Sequence, residues 1–282
     1  MNNRKLLNSL SKKEISEIKE KVNCFMGWCK RNNSIIKEDI FNILQIKSRT
    51  IYYPIKDDDI CGFVYRFKKF IFTYINTNIP REKQVFAAAH ELYHILYSND
   101  MMQELVNDDV LEENELSKKI KKEDLKANRF AAEILVPEDI IRNEIAIRNI
   151  EKNKLGIKEI VQLMDIFLVP YKTIVRRLYE IEYINIERCY ELLNEEDRKN
   201  NNKIIFWQKR LGVCNRNNER TNSIKLDKLV DMSLELYEKK AITFEKLTYL
   251  LGLSKLKPDD FNIKEEKLEF PSEDEILKIL ED

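Results

Sequence analysis

The amino-acid sequence predicts an α+β protein that is mainly helical, with one small β-sheet and a helical C-terminal part. Helix-breaking residues are few among its 282 residues, only 5 Gly and 6 Pro, while 35% are charged and 43% hydrophobic. This composition favours long helices that carry one charged and one apolar face. A short segment after residue 50 is instead rich in aromatic and β-branched residues, which predicts strands.

Composition and charge also exclude several classes of protein. Lys and Arg together number 49, as do Asp and Glu, so no overall field attracts nucleic acid or an anionic membrane. The five cysteines are odd in number and scattered, which predicts free thiols in a reducing compartment. The first residues lack the apolar region of a signal peptide, and no run of about 18 apolar residues occurs. We therefore expect a cytoplasmic protein without membrane association.

Residues 1–50 are predicted to form N-terminal helices. Ser11 and Glu14 have the spacing of a capping box, and apolar residues then recur at helical intervals as far as Trp28. A shorter stretch of the same pattern, from Ile35 to Ile46, predicts a second helix.

Three predicted strands follow, at residues 51–53, 62–67 and 70–75, and the last two are joined by a turn at Lys68-Lys69. Pro80 fits the first turn of the next helix. A small sheet directly before that helix suggests that the last strand borders a cleft. An extended peptide could then pair with the edge of this strand.

The helix predicted over residues 84–98 contains both histidines of the chain, in the pattern His90-Glu91-Leu92-Tyr93-His94. Residues four apart lie on one face of a helix, so the two imidazoles can hold one Zn²⁺ at about 2.0–2.1 Å. Glu91 lies beside them, where it can reach a water molecule rather than the metal. This is the His-Glu-x-x-His pattern of zinc peptidases.

A catalytic zinc site needs a third protein ligand, and the chain has no third histidine to supply it. A charged connector over residues 99–122, read as a solvated loop with a short helix or as a lid, leads to the next helix. That helix ends at Pro137, and Asp124 shares one face of it with two alanines that permit close packing. Glu123 and Glu133 are competing candidates for the third ligand.

Two long motifs in order resemble those of the ImmA/IrrE family of intracellular zinc metallopeptidases. They are Ala-His-Glu-Leu-Tyr-His at residues 89–94 and Ala-Asn-Arg-Phe-Ala-Ala-Glu-Ile-Leu-Val-Pro at residues 127–137. A strand that ends in Ile75-Asn76 and a loop that contains Pro80 precede them. The resemblance covers residues 72–137 and implies a zincin-like metallopeptidase core with Zn²⁺ as its cofactor.

The resemblance also bears on the third ligand. The family's ligand glutamate falls three residues before the Ala-Asn pair, which favours Asp124 over Glu123. There are two departures from the family pattern: Tyr93 replaces the usual glycine, which crowds the first helix, and aspartate replaces the usual glutamate. The shorter arm of Asp124 has to be offset by a small shift of the backbone.

Residues 157–179 have a helix-turn-helix pattern whose second helix carries Lys172, Arg176 and Arg177. This is the pattern of a DNA-reading helix or of an αα-hairpin that completes the core, and the neutral overall charge favours the hairpin. The family resemblance agrees, because its members often have a similar segment after the metal helices. Residues 186–282 are predicted to be a helical C-terminal extension that could bind a partner.

These observations predict three parts: N-terminal helices (1–50), a metallopeptidase core (51–185) and the extension (186–282). Zn²⁺ would be held by His90, His94 and Asp124, and Glu91 would act as general base. By resemblance, the substrate is a helix-turn-helix repressor or antitoxin, whose cleavage triggers a stress response or induces a mobile element. The alternative is a non-proteolytic regulatory, toxin–antitoxin or phage component that binds a partner protein or DNA. The oligomeric state and the scissile bond are not encoded in any of these patterns.

Overall fold

The chain folds into two compact units, residues 1–225 and 226–282. The computed structural model describes residues 10–31, 34–98, 113–152, 155–194 and 203–264, with side chains from residue 120 onward in the third of these ranges. Most of the predicted connector (99–112) and the acidic tail (265–282) therefore lie outside the described residues. The predicted division into three functional parts stays a prediction.

The described residues form a mainly helical protein with a small mixed sheet, which confirms the predicted α+β class. The strands are β1 (Arg49–Tyr53), β2 (Gly62–Phe67), β3 (Phe70–Asn76) and β4 (Lys225–Leu226). The helices that frame the sheet are α1 (Lys12–Cys29), α2 (Asp39–Lys47), α3 (Arg81–Tyr97), α4 (Glu113–Leu135) and α5 (Glu138–Ile147). Further helices are α6 (Ile157–Phe167), α7 (Tyr171–Glu180), α8 (Ile186–Leu193), α9 (Lys203–Arg210), α10 (Cys214–Asn218), α11 (Leu229–Glu238) and α12 (Phe244–Leu253), and a 3₁₀ turn spans Pro258–Phe261.

The first helix begins at the predicted capping box. The Ser11 hydroxyl accepts from the Glu14 amide, and the Glu14 carboxylate accepts from the Ser11 amide at 2.9 Å. The buried face of α1 packs on α4, where the rings of Phe25 and Phe130 lie 5.6 Å apart. Trp28, predicted from its spacing to share this face, is instead 49% exposed beneath the Lys47 ammonium.

The sheet has the strand order β2-β3-β1-β4. The predicted hairpin is confirmed: β2 and β3 are antiparallel and turn at Lys68, whose φ is 52°. Because β1 pairs parallel to β3 on its other side, β3 is a central strand. The expectation that the last strand of the hairpin offers an open edge is therefore wrong. Within the described residues, the open edge beside the hairpin belongs to β2.

Small residues allow α3 and α4 to approach each other closely. Ala88 and Ala89 on α3 are fully buried, as are Ala127 and Ala131 on α4. Pro80 immediately precedes α3, whose first residue is Arg81, as its rigid φ allows. The close contact brings the histidine face of one helix against the carboxylate face of the other.

A buried ion-pair cluster joins α4 to α7. Arg129 binds Glu133 at 2.6 Å and Glu180 at 3.0 Å, while Arg177 lies 3.2 Å from Glu180 and 3.8 Å from Glu133. Arg177 is only 3% exposed and donates to the Val136 carbonyl, so its side chain cannot reach a DNA groove. This packing favours the αα-hairpin interpretation of residues 157–179.

The second unit contains the helical pair α11 and α12, with Leu247 and Leu251 buried in it. In the part of the chain that the structure describes, none of the helices combines the length and the apolar character needed to cross a membrane.

Candidate metal centre

Three ligand atoms from α3 and α4 converge on one point. The Nε2 atoms of His90 and His94 lie 3.1 Å apart. Oδ1 of Asp124 lies 3.9 Å from the first nitrogen and 3.6 Å from the second. The four-residue spacing places both rings on one face of α3, as predicted, and α4 carries the carboxylate to them. His90, His94 and Asp124 are thus a group that could hold a metal ion.

Hydrogen bonds on the far side of each ring orient the two imidazoles. His90 Nδ1 lies 3.0 Å from the Asn128 side-chain oxygen, and His94 Nδ1 lies 3.2 Å from the Ser98 hydroxyl. An amide oxygen only accepts, so with the Asn128 amide placed this way His90 carries its proton on Nδ1. Its Nε2 therefore presents a lone pair to the site, as a metal ligand must.

The set fits zinc in both type and spacing. Two imidazole nitrogens and one carboxylate oxygen form a catalytic zinc set that leaves a fourth position open. Two nitrogens bound tetrahedrally at about 2.0–2.1 Å would lie about 3.3–3.4 Å apart. The observed separation of 3.1 Å between the Nε2 atoms is close to that value. Imidazole ligands also select against Mg²⁺ and Ca²⁺, which prefer oxygen.

His90 and Asp124 have the protonation states that a metal requires. Burial, aided by the neighbouring His94, lowers the pKa of His90 to about 4, so this imidazole is neutral at pH 7. Contact with His94 is the main cause that lowers the pKa of Asp124, so the carboxylate is ionised. Metal binding needs neutral imidazole and ionised carboxylate.

Glu91 is a buried carboxyl group that faces the same cleft. It is 7% exposed, and burial raises its pKa to about 7, with Asp124 adding to the rise and His94 opposing it. Gly62 on β2 makes room for it: a Cβ there would lie 3.3 Å from Glu91 Cγ and 2.8 Å from the Tyr74 carbonyl. A carboxyl that titrates near neutral pH is suited to general acid–base chemistry.

The cleft has a volume of about 410 Å³, with α3 and α4 on one side and the start of β2 on the other. Its lining residues are Gly62, Phe63, Val64, His90, Glu91, His94, Ser98, Ile120, Glu123, Asp124 and Asn128. Phe63 is 51% exposed and Ile120 37% exposed, so apolar side chains border the polar centre.

The loop that leads into β2, the strand that borders the cleft, is held by Asn76. The Asn76 amide donates to the carbonyls of Ile55, Asp57 and Ile60 at 2.8–3.0 Å, and its oxygen accepts from the Ile55 amide. Asn76 is fully buried at the end of β3, and the loop it fixes leads directly into β2.

The predicted site residues His90, Glu91, His94 and Asp124 are brought together in this cleft. Their roles in metal binding and catalysis stay predictions. Of the competing carboxylates, Glu133 is taken up by the ion-pair cluster with Arg129. Glu123 lines the cleft but is bound by Lys126 at 2.6 Å.

Other features of the site were not predicted from the sequence. Tyr93, expected to crowd α3, is fully buried, with its ring 5.6 Å from that of Phe130 and its hydroxyl 3.4 Å from Glu123. The orienting roles of Ser98 and Asn128 were also missed. Each follows a predicted ligand by four residues, His94 and Asp124 respectively, and that spacing was the available signal.

Residues 45–179 match the model of the Peptidase_M78 family, described as the IrrE N-terminal-like domain. The match includes the sheet hairpin, both metal-site helices and α7, and it confirms the resemblance found in the sequence motifs. The chain is also similar to the mouse (Mus musculus) centriole and centriolar satellite protein OFD1, with 29% identity over 172 residues. That similarity covers 60% of this chain but spans only 15% of the relative's length.

Proposed function

Because residues 45–179 match the model of the IrrE N-terminal-like domain, we propose that this protein is a zinc-dependent endopeptidase. One observation carries the proposal: His90, His94 and Asp124 converge within a cleft that also contains the buried carboxyl group of Glu91. A structural zinc site would be closed by four protein ligands, whereas this set has three and is open to a cleft.

Each residue of the site has a role in this proposal. His90, His94 and Asp124 would hold the zinc, and Asn128 and Ser98 would orient the two rings. Zinc, when bound, polarises a peptide carbonyl and lowers the pKa of a water molecule to about 7. Glu91 would take the proton of the attacking water and pass it to the leaving amine. Its burial and its raised pKa suit it to both transfers.

The edge of β2 supports a peptide as substrate. Gly62, Phe63 and Val64 line the cleft at the start of this strand, and β2 is paired only with β3 among the described residues. An extended segment could add to this edge through main-chain hydrogen bonds and so pass beside Glu91. Phe63 and Ile120 would favour an apolar side chain near the bond that is cut.

A helix-turn-helix repressor or antitoxin is our proposal for the natural substrate, cleaved in the cytoplasm. It comes from the ImmA/IrrE resemblance, whose members characteristically cleave or inactivate such repressors. Cleavage would release a stress response or induce a mobile element.

The test is co-expression with a helix-turn-helix repressor encoded beside the gene for this chain. We expect wild type to cleave the repressor and Glu91→Gln to keep one zinc per chain while losing at least about 100-fold in cleavage rate. Glu20→Gln, an exposed carboxylate on α1, is the matched control and should cleave like wild type. Cleavage that persists in Glu91→Gln would overturn the mechanism. An intact repressor in the presence of zinc-loaded wild type would overturn the substrate assignment.

A further inference from the structure

A chain of polar contacts runs from His94 away from the metal centre. Nδ1 of His94 lies 3.2 Å from the Ser98 hydroxyl, and that hydroxyl lies 3.5 Å from Oε2 of Glu123. Ser98 is 5% exposed and is the capping residue that directly follows α3. Glu123 precedes Asp124 on α4, so the chain connects the two helices behind the ligands.

The direction of these hydrogen bonds decides which nitrogen of His94 faces the metal site with a lone pair. A serine hydroxyl can donate or accept, so Ser98 alone leaves the tautomer open. A carboxylate paired with Lys126 only accepts, so the Ser98 hydroxyl donates its hydrogen bond to Glu123. The Ser98 oxygen then accepts from His94 Nδ1–H, and His94 Nε2 is left with its lone pair.

The other tautomer would close the site. If His94 carried its proton on Nε2, that N–H could donate to Nε2 of His90, only 3.1 Å away. The two ligand atoms would then satisfy each other, and zinc binding would have to break their hydrogen bond. The contact with Glu123 works against this state.

Besides Ser98, two side chains hold Glu123 in place, and a third contacts one of these two. Lys126 binds Oε1 at 2.6 Å, and the Tyr93 hydroxyl donates to Oε2 at 3.4 Å. Lys21 of α1 lies 3.4 Å from the same hydroxyl and 5.1 Å from the centre of the Tyr93 ring. Tyr93 is the residue that departs from the family's usual glycine, and Lys21 lies outside the matched segment 45–179.

We propose that Glu123 is a positioning residue of the metal site, which acts through Ser98 to keep the Nε2 lone pair of His94 available for zinc. The inference rests on the proposed zinc site but not on peptidase activity. Glu123, which competed with Asp124 for the role of third ligand, would thus orient a ligand from behind instead of binding the metal.

The test is a double-mutant cycle on zinc affinity, with Glu123→Gln, Ser98→Ala and the double variant in the full chain. Zinc dissociation constants are measured by competition with a chromophoric chelator, and Glu20→Gln is the control. Each single variant should weaken zinc binding about 10-fold, as loss of an outer-sphere partner does. The zinc affinity of the double variant should also fall about 10-fold rather than about 100-fold, because both changes break the same series of hydrogen bonds.

A spectroscopic measurement accompanies the cycle, because the chain has only two histidines. Long-range ¹H–¹⁵N correlation spectra of the metal-free protein at pH 8 should show both rings protonated on Nδ1 in wild type. In Glu123→Gln, His94 should shift toward the Nε2–H form, because the glutamine amide can donate to Ser98, while His90 should not change. Thermal melting of each metal-free variant checks that it folds.

The outcomes separate this inference from the proposed function. Additive losses in the cycle, or an unchanged His94 tautomer in folded Glu123→Gln, would overturn the positioning role and leave the peptidase proposal intact. A coupled cycle in a protein that cleaves no repressor would support the positioning role and count against the peptidase. A wild type that binds no zinc would overturn both.

Discussion

Two clusters of ionisable side chains lie on the same helix, α4. They differ in whether the carboxylates are paired with cationic side chains. Asp124 meets His90 and His94, while Glu133 meets Arg129 and Arg177, about 13 Å further along the helix axis. The Glu133 cluster, with Glu180, contains two carboxylates and two guanidinium groups at distances down to 2.6 Å. The Asp124 cluster contains one carboxylate and two imidazoles, and one of these, His90, is neutral at pH 7 because burial lowers its pKa to about 4.

A structural charge cluster differs from a ligand site in whether its charges are already paired. Buried charges that are paired and hydrogen-bonded are complete, and stability alone accounts for them. A group of acceptor atoms that face each other without a donor is complete only when a cation joins it. We therefore propose that the Glu133 cluster stabilises the fold and that the Asp124 cluster binds zinc.

Removing Glu133 should produce the largest effect, and it should fall on folding. Glu133→Ala leaves Arg129 and Arg177 with one carboxylate between them in a site where Glu133 is only 6% exposed. Breaking such a buried pair costs about 3–5 kcal/mol in the free energy of unfolding. Urea denaturation of the metal-free protein measures it. If Glu133→Ala unfolds like wild type, or if its folded form has lost zinc affinity, the Glu133 cluster is not a purely stabilising one.

Removing the charge of Asp124 should instead weaken zinc binding and leave the stability of the metal-free protein nearly unchanged. We expect Asp124→Asn to weaken zinc binding by about 100-fold, at the upper end of what second-sphere changes cost, because a direct ligand is altered. The metal-free protein should unfold close to the wild-type urea concentration, since the Asp124 side chain is 49% exposed and exposed substitutions cost little stability. Chelator competition and urea denaturation give the two numbers. A large loss of stability with unchanged zinc affinity would reverse the assignment.

A methyl group added at Gly62 should affect cleavage without affecting metal binding. A Cβ there would lie 2.8 Å from the Tyr74 carbonyl, so β2 and the adjacent Glu91 have to shift. Misplacement of a catalytic group by about 1 Å can cost about 100-fold. We expect Gly62→Ala to lose about 10-fold or more in cleavage rate and to keep its zinc affinity.

The matched control for Gly62 is Gly27→Ala on α1, where a Cβ meets nothing within 4 Å. This variant should cleave like wild type and be slightly more stable, because alanine favours the helix. Equal losses of cleavage in both glycine variants would mean that the contact with Glu91 is unimportant.

The smallest effect concerns pH and the end of α4 that carries Asp124. Hydrogen bonds from Lys122 and then Ser11 lower the pKa of Glu14 to about 2, below its ordinary 4.5. A lowered pKa in the folded state means that the stabilisation is complete above pH 4.5 and is lost as the pH falls through about 2. The difference in urea midpoint between wild type and Glu14→Gln should therefore shrink between pH 5 and pH 2. A difference that is constant over this range would show that the ionised pair with Lys122 contributes nothing.

The sequence predicted those parts of the site that depend on local spacing. His90, Glu91 and His94 follow from the helical repeat, and Asp124 follows from its place before the Ala-Asn pair. Glu123 could not be separated from Asp124 by spacing alone, because neighbours on a helix differ only in direction. Lys126 and Ser98, which bind Glu123 behind the ligands, provide that separation.

Strand order and helix burial were less predictable. The parallel pairing of β1 with β3 joins strands that are distant in sequence, and it makes β2 the edge strand. Trp28 has the spacing of the buried face of α1, but its ring lies beneath the Lys47 ammonium and stays 49% exposed. Arg177 was considered as a DNA contact from its charge alone, since its partners Glu133 and Glu180 are brought to it only by the tertiary fold.

The zinc content of purified wild type, Asp124→Asn and Glu133→Gln, measured after equilibrium dialysis against a fixed concentration of free zinc, distinguishes the roles of the two clusters. We predict one zinc per chain in wild type and in folded Glu133→Gln, and well below one in Asp124→Asn. A wild type without zinc, or an Asp124→Asn variant that retains as much zinc as wild type, would contradict the proposal that the Asp124 cluster binds zinc.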